Sequence, residues 1–164
     1  MGITLGRVMR IGGSLFGVVL VAFFLFHAPD AMAQSYIGNF CWNITVIERE
    51  TGPVSPETFL ARFDVMHMGG VSYALQGAVL LPDDNPFVVT GAAHIIGSDI
   101  YMNLTGTQAH ASEPWRDTGV MQVKLALSNL NGTFYEVSND FNPSSPLDDP
   151  RGYAAGTVTF TSCP

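Results

Sequence analysis

Basic charge is what this chain has least of. It carries 7 Lys and Arg against 14 Asp and Glu in 164 residues. Phosphate recognition needs a basic face, so a nucleic-acid partner is excluded, and no polybasic patch exists to hold anionic lipid. Catalytic signatures are missing too. There is no G-x-S-x-G nucleophile elbow, no Gly-rich phosphate loop leading into a helix, and no histidine at metal-ligand spacing from another ligand. No catalytic residue, metal or cofactor is therefore expected. Helical periodicity is absent apart from one turn that Ser55-Pro56-Glu57 could start, with Ser55 as cap and Pro56 in the first helical position. The longest apolar stretch, Leu15 to Ala28, has 14 residues, short of the ~20 that a spanning helix needs.

That stretch has a different use. Arg7 and Arg10 precede it, and Ala31-Met32-Ala33 follows as a small-x-small cleavage site. Residues 1–33 read as a cleaved signal peptide, with the cut before Gln34. A secreted or periplasmic location follows, with no stable membrane insertion after cleavage. Residues 34–164 are then the mature protein, one domain by length. Without Arg7, Arg10 and Asp30 it keeps five basic and thirteen acidic residues, a net charge of −8.

What is present is a two-residue rhythm. Apolar and polar residues alternate in eight runs: 38–47, 59–68, 71–81, 87–96, 99–107, 118–128, 133–138 and 153–161. In the third, Val71, Tyr73, Leu75, Val79 and Leu81 alternate with Ser72, Ala74 and Gln76. In the sixth, Met121, Val123, Leu125 and Leu127 face away from Gln122 and Lys124. Such alternation marks half-buried strands. The fourth run is apolar on both faces, so its register stays open. The connections alternate long and short: Glu48 to Pro56, Gly69-Gly70, Pro82 to Pro86, Gly97-Ser98, Gln108 to Arg116, Asn129 to Gly132, Asn139 to Arg151. In an up-and-down meander this places four long loops at one end and three tight turns at the other. The fold class is all-β, an eight-stranded antiparallel barrel with a wide mouth and a narrow floor. Glycines 77, 91, 106 and 156 fall inside strands. They mark either coiling of the wall or room left in the lumen.

Two cysteines in an exported chain suggest one disulfide. Closure of the barrel would set the start of the first strand beside the end of the last. Cys41 lies on the face opposite Phe40, Trp42, Ile44 and Val46, and Cys163 on the face opposite Val158 and Phe160. Both therefore leave the wall on the same side, and a Cys41–Cys163 bond is expected.

Gly38 and Trp42 open the meander as Gly-x-x-x-Trp. This resembles the calycins, the lipocalin and avidin-like barrels, whose first strand carries Gly-x-Trp. The spacing here is two residues longer, which keeps Trp42 on the same face as Gly38. The resemblance implies a central cup for a small apolar molecule. Trp42, Phe63, Tyr73, Leu75, Met121 and Val123 are the expected ligand-binding residues, on the apolar faces of their strands. Trp115 and Phe141, large apolar residues in polar mouth loops, are the expected rim.

The remaining polar residues are less specific. His67 shares parity with Phe63 and Val65 and suits either a haem iron or a turn hydrogen bond. His110 falls in a mouth loop. Asp83-Asp84-Asn85 and Asp148-Asp149 offer oxygen ligands for calcium without matching a loop signature. Three functional classes stay open. The first is an exported binding barrel. The second is a structural or interaction barrel whose side chains fill the lumen. The third covers a cyclase or isomerase working in a barrel cup, and a small outer-membrane barrel, since alternation does not say whether the apolar face points in or out. Ligand identity and oligomeric state are not written in the sequence.

Overall fold

The computed structural model describes residues 34–82, 85–109, 116–141 and 151–164. Its eight strands are β1 (Ser35–Arg49), β2 (Gly52–Gly69), β3 (Ser72–Leu80), β4 (Phe87–Ile96), β5 (Asp99–Ala109), β6 (Arg116–Ala126), β7 (Gly132–Phe141) and β8 (Arg151–Thr161). Each pairs antiparallel with the next, and β1 pairs with β8 to close the barrel.

The alternation decides which way the strands face. Trp42, Ile44, Phe63, Leu104, Leu125 and Phe134 point inward and are buried. Arg62, Asp64, Asn103, Gln122 and Lys124 lie on the outer face and are exposed. Burying one large apolar side chain stabilises by roughly 1.5–3 kcal/mol. A one-residue slip of a strand would turn its whole set outward. For several strands that loss exceeds the entire net stability of a domain, about 5–15 kcal/mol. In β4, where the sequence left the register open, Val89 and Ala93 are buried inside while Val88 and Thr90 are exposed.

The short connections match the expectation. Gly69 and Gly70 adopt φ of 108° and 58°, and Gly97 adopts 64°, values that side-chain-bearing residues resist. The turn between β6 and β7 is more elaborate. The Leu130 amide donates to the Ala126 carbonyl at 2.8 Å, and the Leu127 amide donates to Ser98 in the neighbouring turn at 2.9 Å. Asn131 Oδ1 accepts from the Phe160 amide at 2.8 Å. These bonds tie the β4–β5 turn, the β6–β7 turn and β8 together at this end of the barrel.

The first long loop is not a loop. β1 continues to Arg49 and β2 begins at Gly52, leaving only Glu50-Thr51 as a turn. The helical turn expected at Ser55-Pro56-Glu57 is strand instead. Pro53 and Pro56 lack a backbone donor, yet they fit here. β2 pairs with β3 only from Leu60 onward, so both prolines lie on a stretch with a free edge. Val54 packs on the core, and Arg49 Nη2 meets Glu57 Oε2 at 2.9 Å across the hairpin.

One irregularity in β1 sets the polarity of the mouth. Val46 pairs with Gly156, but Glu48 pairs with Ala155, so Ile47 is an extra residue in the ladder. This bulge reverses the alternation beyond it. Arg49 pairs with Ala154, which packs on the core, and so turns inward where unbroken alternation would have put Glu48.

Cys41 and Cys163 form a disulfide with Cα atoms 5.2 Å apart. Cys41 sits on the outer face, opposite Trp42, and is fully buried. The bond joins β1 to the residues just after β8 and fits an oxidising compartment.

Candidate functional site

The lumen is two recesses separated by a packed waist. At the waist, Phe63, Met102, Leu104, Met121 and Val123 border voids of only about 10 Å³, room for no more than one water. Gly77, Gly91 and Gly156 let the wall bend around it. A Cβ on any of them would fall 1.9–2.2 Å from a carbonyl oxygen of the neighbouring strand. Gly106 has another role. A Cβ there would lie 2.1 Å from Phe87 Cε1, so this glycine makes room for a ring of the protein itself.

The larger recess, about 440 Å³, lies at the end that carries the β1–β2, β3–β4, β5–β6 and β7–β8 connections. Its volume falls within the range of small-molecule pockets. Its base is apolar, from Ile44, Val79, Phe87, Met121 and Phe134. Its upper wall is polar, with Gln108, Asp117, Glu136 and Ser138 at lumen-facing positions and Arg49 opposite. Gln108 is 4% exposed; its amide donates to the Asn85 carbonyl at 2.9 Å and so braces the β3–β4 connection against β5.

Glu136 is the unusual member. It pairs with Met121 on β6 and shares the inner face of β7 with Phe134. No described residue hydrogen-bonds its carboxyl. Burial raises its pKa above the ordinary 4.5; Arg49 opposes the rise and Asp117 adds to it. Gly119 leaves space for this carboxyl, since a Cβ there would lie 2.7 Å from Glu136 Oε1.

The second recess, about 240 Å³, lies at the tight-turn end and is almost wholly apolar. Phe40, Trp42, Tyr73, Leu75, Ile100 and Leu130 are among its lining. Trp42 stacks on Phe40 with ring centroids 5.9 Å apart and meets Phe63 and Phe160 edge-on. Its indole Nε1 donates to the Leu130 carbonyl at 3.0 Å. That bond satisfies the ring's polar edge and fastens the β6–β7 turn to β1. The expected narrow floor is therefore a second, apolar hollow.

The expected ligand residues are divided between these regions. Of the six, Met121 alone lines the mouth recess. Phe63 and Val123 belong to the waist, while Trp42, Tyr73 and Leu75 line the opposite hollow. Phe141 ends β7 opposite Arg116. Trp115 and His110 lie outside the described residues, as do Asp83, Asp84, Asp148 and Asp149. His67 packs on Tyr73 at 5.2 Å, and its Nε2 lies 3.0 Å from the Gly70 carbonyl oxygen. It serves the turn. Glu136, Asp117, Gln108 and Arg49 escaped the sequence reading. The available signal for Glu136 was its two-residue spacing from Phe134. Arg49 had none, because the Ile47 bulge that turns it inward leaves no mark in the alternation.

No protein-family model, no curated protein and no solved structure matches this chain. What the site does has to be argued from its own chemistry. An apolar base under a wall whose described residues offer carboxylates, an amide, hydroxyls and a guanidinium can hold a small amphipathic molecule in one orientation. The carboxyl of Glu136 could also exchange a proton with such a molecule. Among the described residues of the recess, none form a nucleophile–base pair of the kind that covalent catalysis needs.

Proposed function

We propose that the protein is an exported binding barrel, calycin-like in architecture, that takes a small and mainly apolar molecule into its mouth recess. The observation that carries this reading is the recess itself: about 440 Å³ with a hydrocarbon base, beside a waist packed to voids of about 10 Å³. A lumen designed only to be filled would have no reason to stop filling at the mouth. The disulfide supports a secreted or periplasmic location. The inward apolar face weighs against a lipid-embedded barrel, which needs its apolar band outside.

A structural or interaction barrel is the second reading. It draws on the packed waist and on the apolar residues exposed at the tight-turn end, Tyr36, Ile37, Val71, Ile96 and Leu127.

Titration with an environment-sensitive apolar dye separates these readings. Ala154→Trp should fill the mouth recess and block the dye, whereas Leu75→Trp, in the opposite hollow, should not. The reverse pattern would move the site to the tight-turn end. No dye binding by the folded protein would favour the filled barrel.

A further inference from the structure

Every residue of the three tight turns is described, and the apolar hollow of about 240 Å³ lies at their end of the barrel. Among the described residues that line it, none is charged. The indole N–H of Trp42 is already bonded to the Leu130 carbonyl, and the lining's other polar side-chain group is the Tyr73 hydroxyl. Water finds few partners in such a space. Apolar cavities of about 150 Å³ stay dry and take up a molecule the size of benzene. The waist bounds the occupant on the inner side, because its voids of about 10 Å³ are all that separates this hollow from the mouth recess. Ile37 and Leu127, 47% and 43% exposed, mark the entrance at the barrel's end.

One residue of the rim holds a conformation that its type avoids. Leu130 has a φ of 58°, the single positive φ of a non-glycine residue among those described. A branched side chain resists that region, whereas asparagine enters it more readily. Asn129 and Asn131 stand on either side, yet leucine has the position. Its amide donates to the Ala126 carbonyl at 2.8 Å, and its carbonyl accepts from the Trp42 indole at 3.0 Å. The backbone is thus held from both sides while the side chain lies against the hollow, partly exposed.

We propose that this hollow is a second binding site, independent of the mouth recess, for a compact uncharged aromatic molecule of one or two rings. The ligand's rings meet Phe40, Trp42 and Tyr73 in the offset and edge-on arrangements that aromatic pairs favour. Leu130 closes over the occupant from the β6–β7 turn, and the two backbone bonds keep it there against its preference. A charged molecule is rejected, because the described lining offers nothing to compensate a charge.

The test uses naphthalene on the oxidised protein, read by methyl NMR. Intermolecular contacts should appear to Leu75, Ile100 and Leu130. They should persist in Ala154→Trp, where the mouth is filled, with affinity within about twofold, as expected for separate sites. Leu75→Trp should abolish them, and Ala93→Leu, a smaller filler of the same hollow, answers the question if the tryptophan variant folds poorly. Leu130→Gly accepts the same φ and should weaken binding roughly tenfold through lost apolar contact. Naphthalene-2,6-dicarboxylate must bring a charge against hydrocarbon whichever way it enters, and it should not bind the hollow. Contacts only to mouth residues such as Val46 and Val79, binding at the hollow that survives both fillers, equal binding of the dicarboxylate there, or no binding would overturn the proposal. So would a dimer by sedimentation velocity whose interface covers the hollow. Unaltered affinity in Leu130→Gly would overturn the role given to Leu130. The reading of the mouth stands or falls separately, on the dye titration above.

Discussion

Glu136 stands where the alternation of β7 calls for hydrocarbon, and that position links it to stability as well as to binding. Its pKa is raised in the folded protein. Between the ordinary value of 4.5 and the raised one, the folded state holds a proton that the unfolded state has lost. Stability therefore declines as pH rises through this window and levels off above it. Glu136→Gln should abolish that part of the decline and be the more stable form at pH 7, with the two proteins converging below pH 4. Urea midpoints measured across pH would show it. A second residue-scale contrast involves two glycines. Gly77→Ala forces a methyl onto the Arg62 carbonyl, which is backbone, whereas Gly106→Ala meets the Phe87 ring, which can rotate. Overpacking of this kind costs about 1–3 kcal/mol. Gly77→Ala should fall at the upper end or beyond, Gly106→Ala at the lower, as thermal denaturation can test. Glycines at these places were already legible inside the strand runs. The pattern could not say which touch backbone and which touch a side chain, because that depends on strand coiling in three dimensions.

Among the elements, the β1–β2 hairpin carries more than its sequence announced. Its prolines read as loop because proline is excluded from paired interiors, and the free edge before Leu60 that admits them exists only in the assembled barrel. Strands β3, β5 and β6 were legible for the opposite reason: their polar and apolar residues alternate over nine or more positions, and burial of one face overrides local ambiguity. The Ile47 bulge offers a direct test of how the mouth is polarised. Deleting Ile47 removes the extra residue and leaves Glu48 opposite Ala155 and Arg49 opposite Ala154, so Arg49 should stay inward. The pKa of Glu136, followed by carboxyl NMR titration, should be unchanged by the deletion and should rise in Arg49→Gln, which removes the opposing charge. No rise in Arg49→Gln would mean that Arg49 does not face the lumen.

For the molecule as a whole, the disulfide spans 122 residues of sequence. A cross-link over so long a loop stabilises by roughly 4–5 kcal/mol on the chain-entropy argument. Replacing both cysteines with serine should lower stability by up to that amount while leaving strand content unchanged by circular dichroism. The unmodified protein should show no titratable thiol in denaturant. This bond was foreseen because closure and parity together fix where Cys41 and Cys163 emerge. The division of the lumen was not, since the volume of a waist depends on how side chains from all eight strands meet.

Closure also determines how the protein opens. An open sheet frays from its outermost strand, but a ring of eight has none, and releasing a strand from it breaks two ladders together. Amide hydrogens across most of the barrel should therefore exchange with solvent only through one concerted event, with a single free energy equal to that of global unfolding. The segment of β2 from Gly52 to Phe59 is held on one side alone. It should exchange earlier than the rest, and the protein's slow breathing is then concentrated beside the mouth rather than at the tight-turn end.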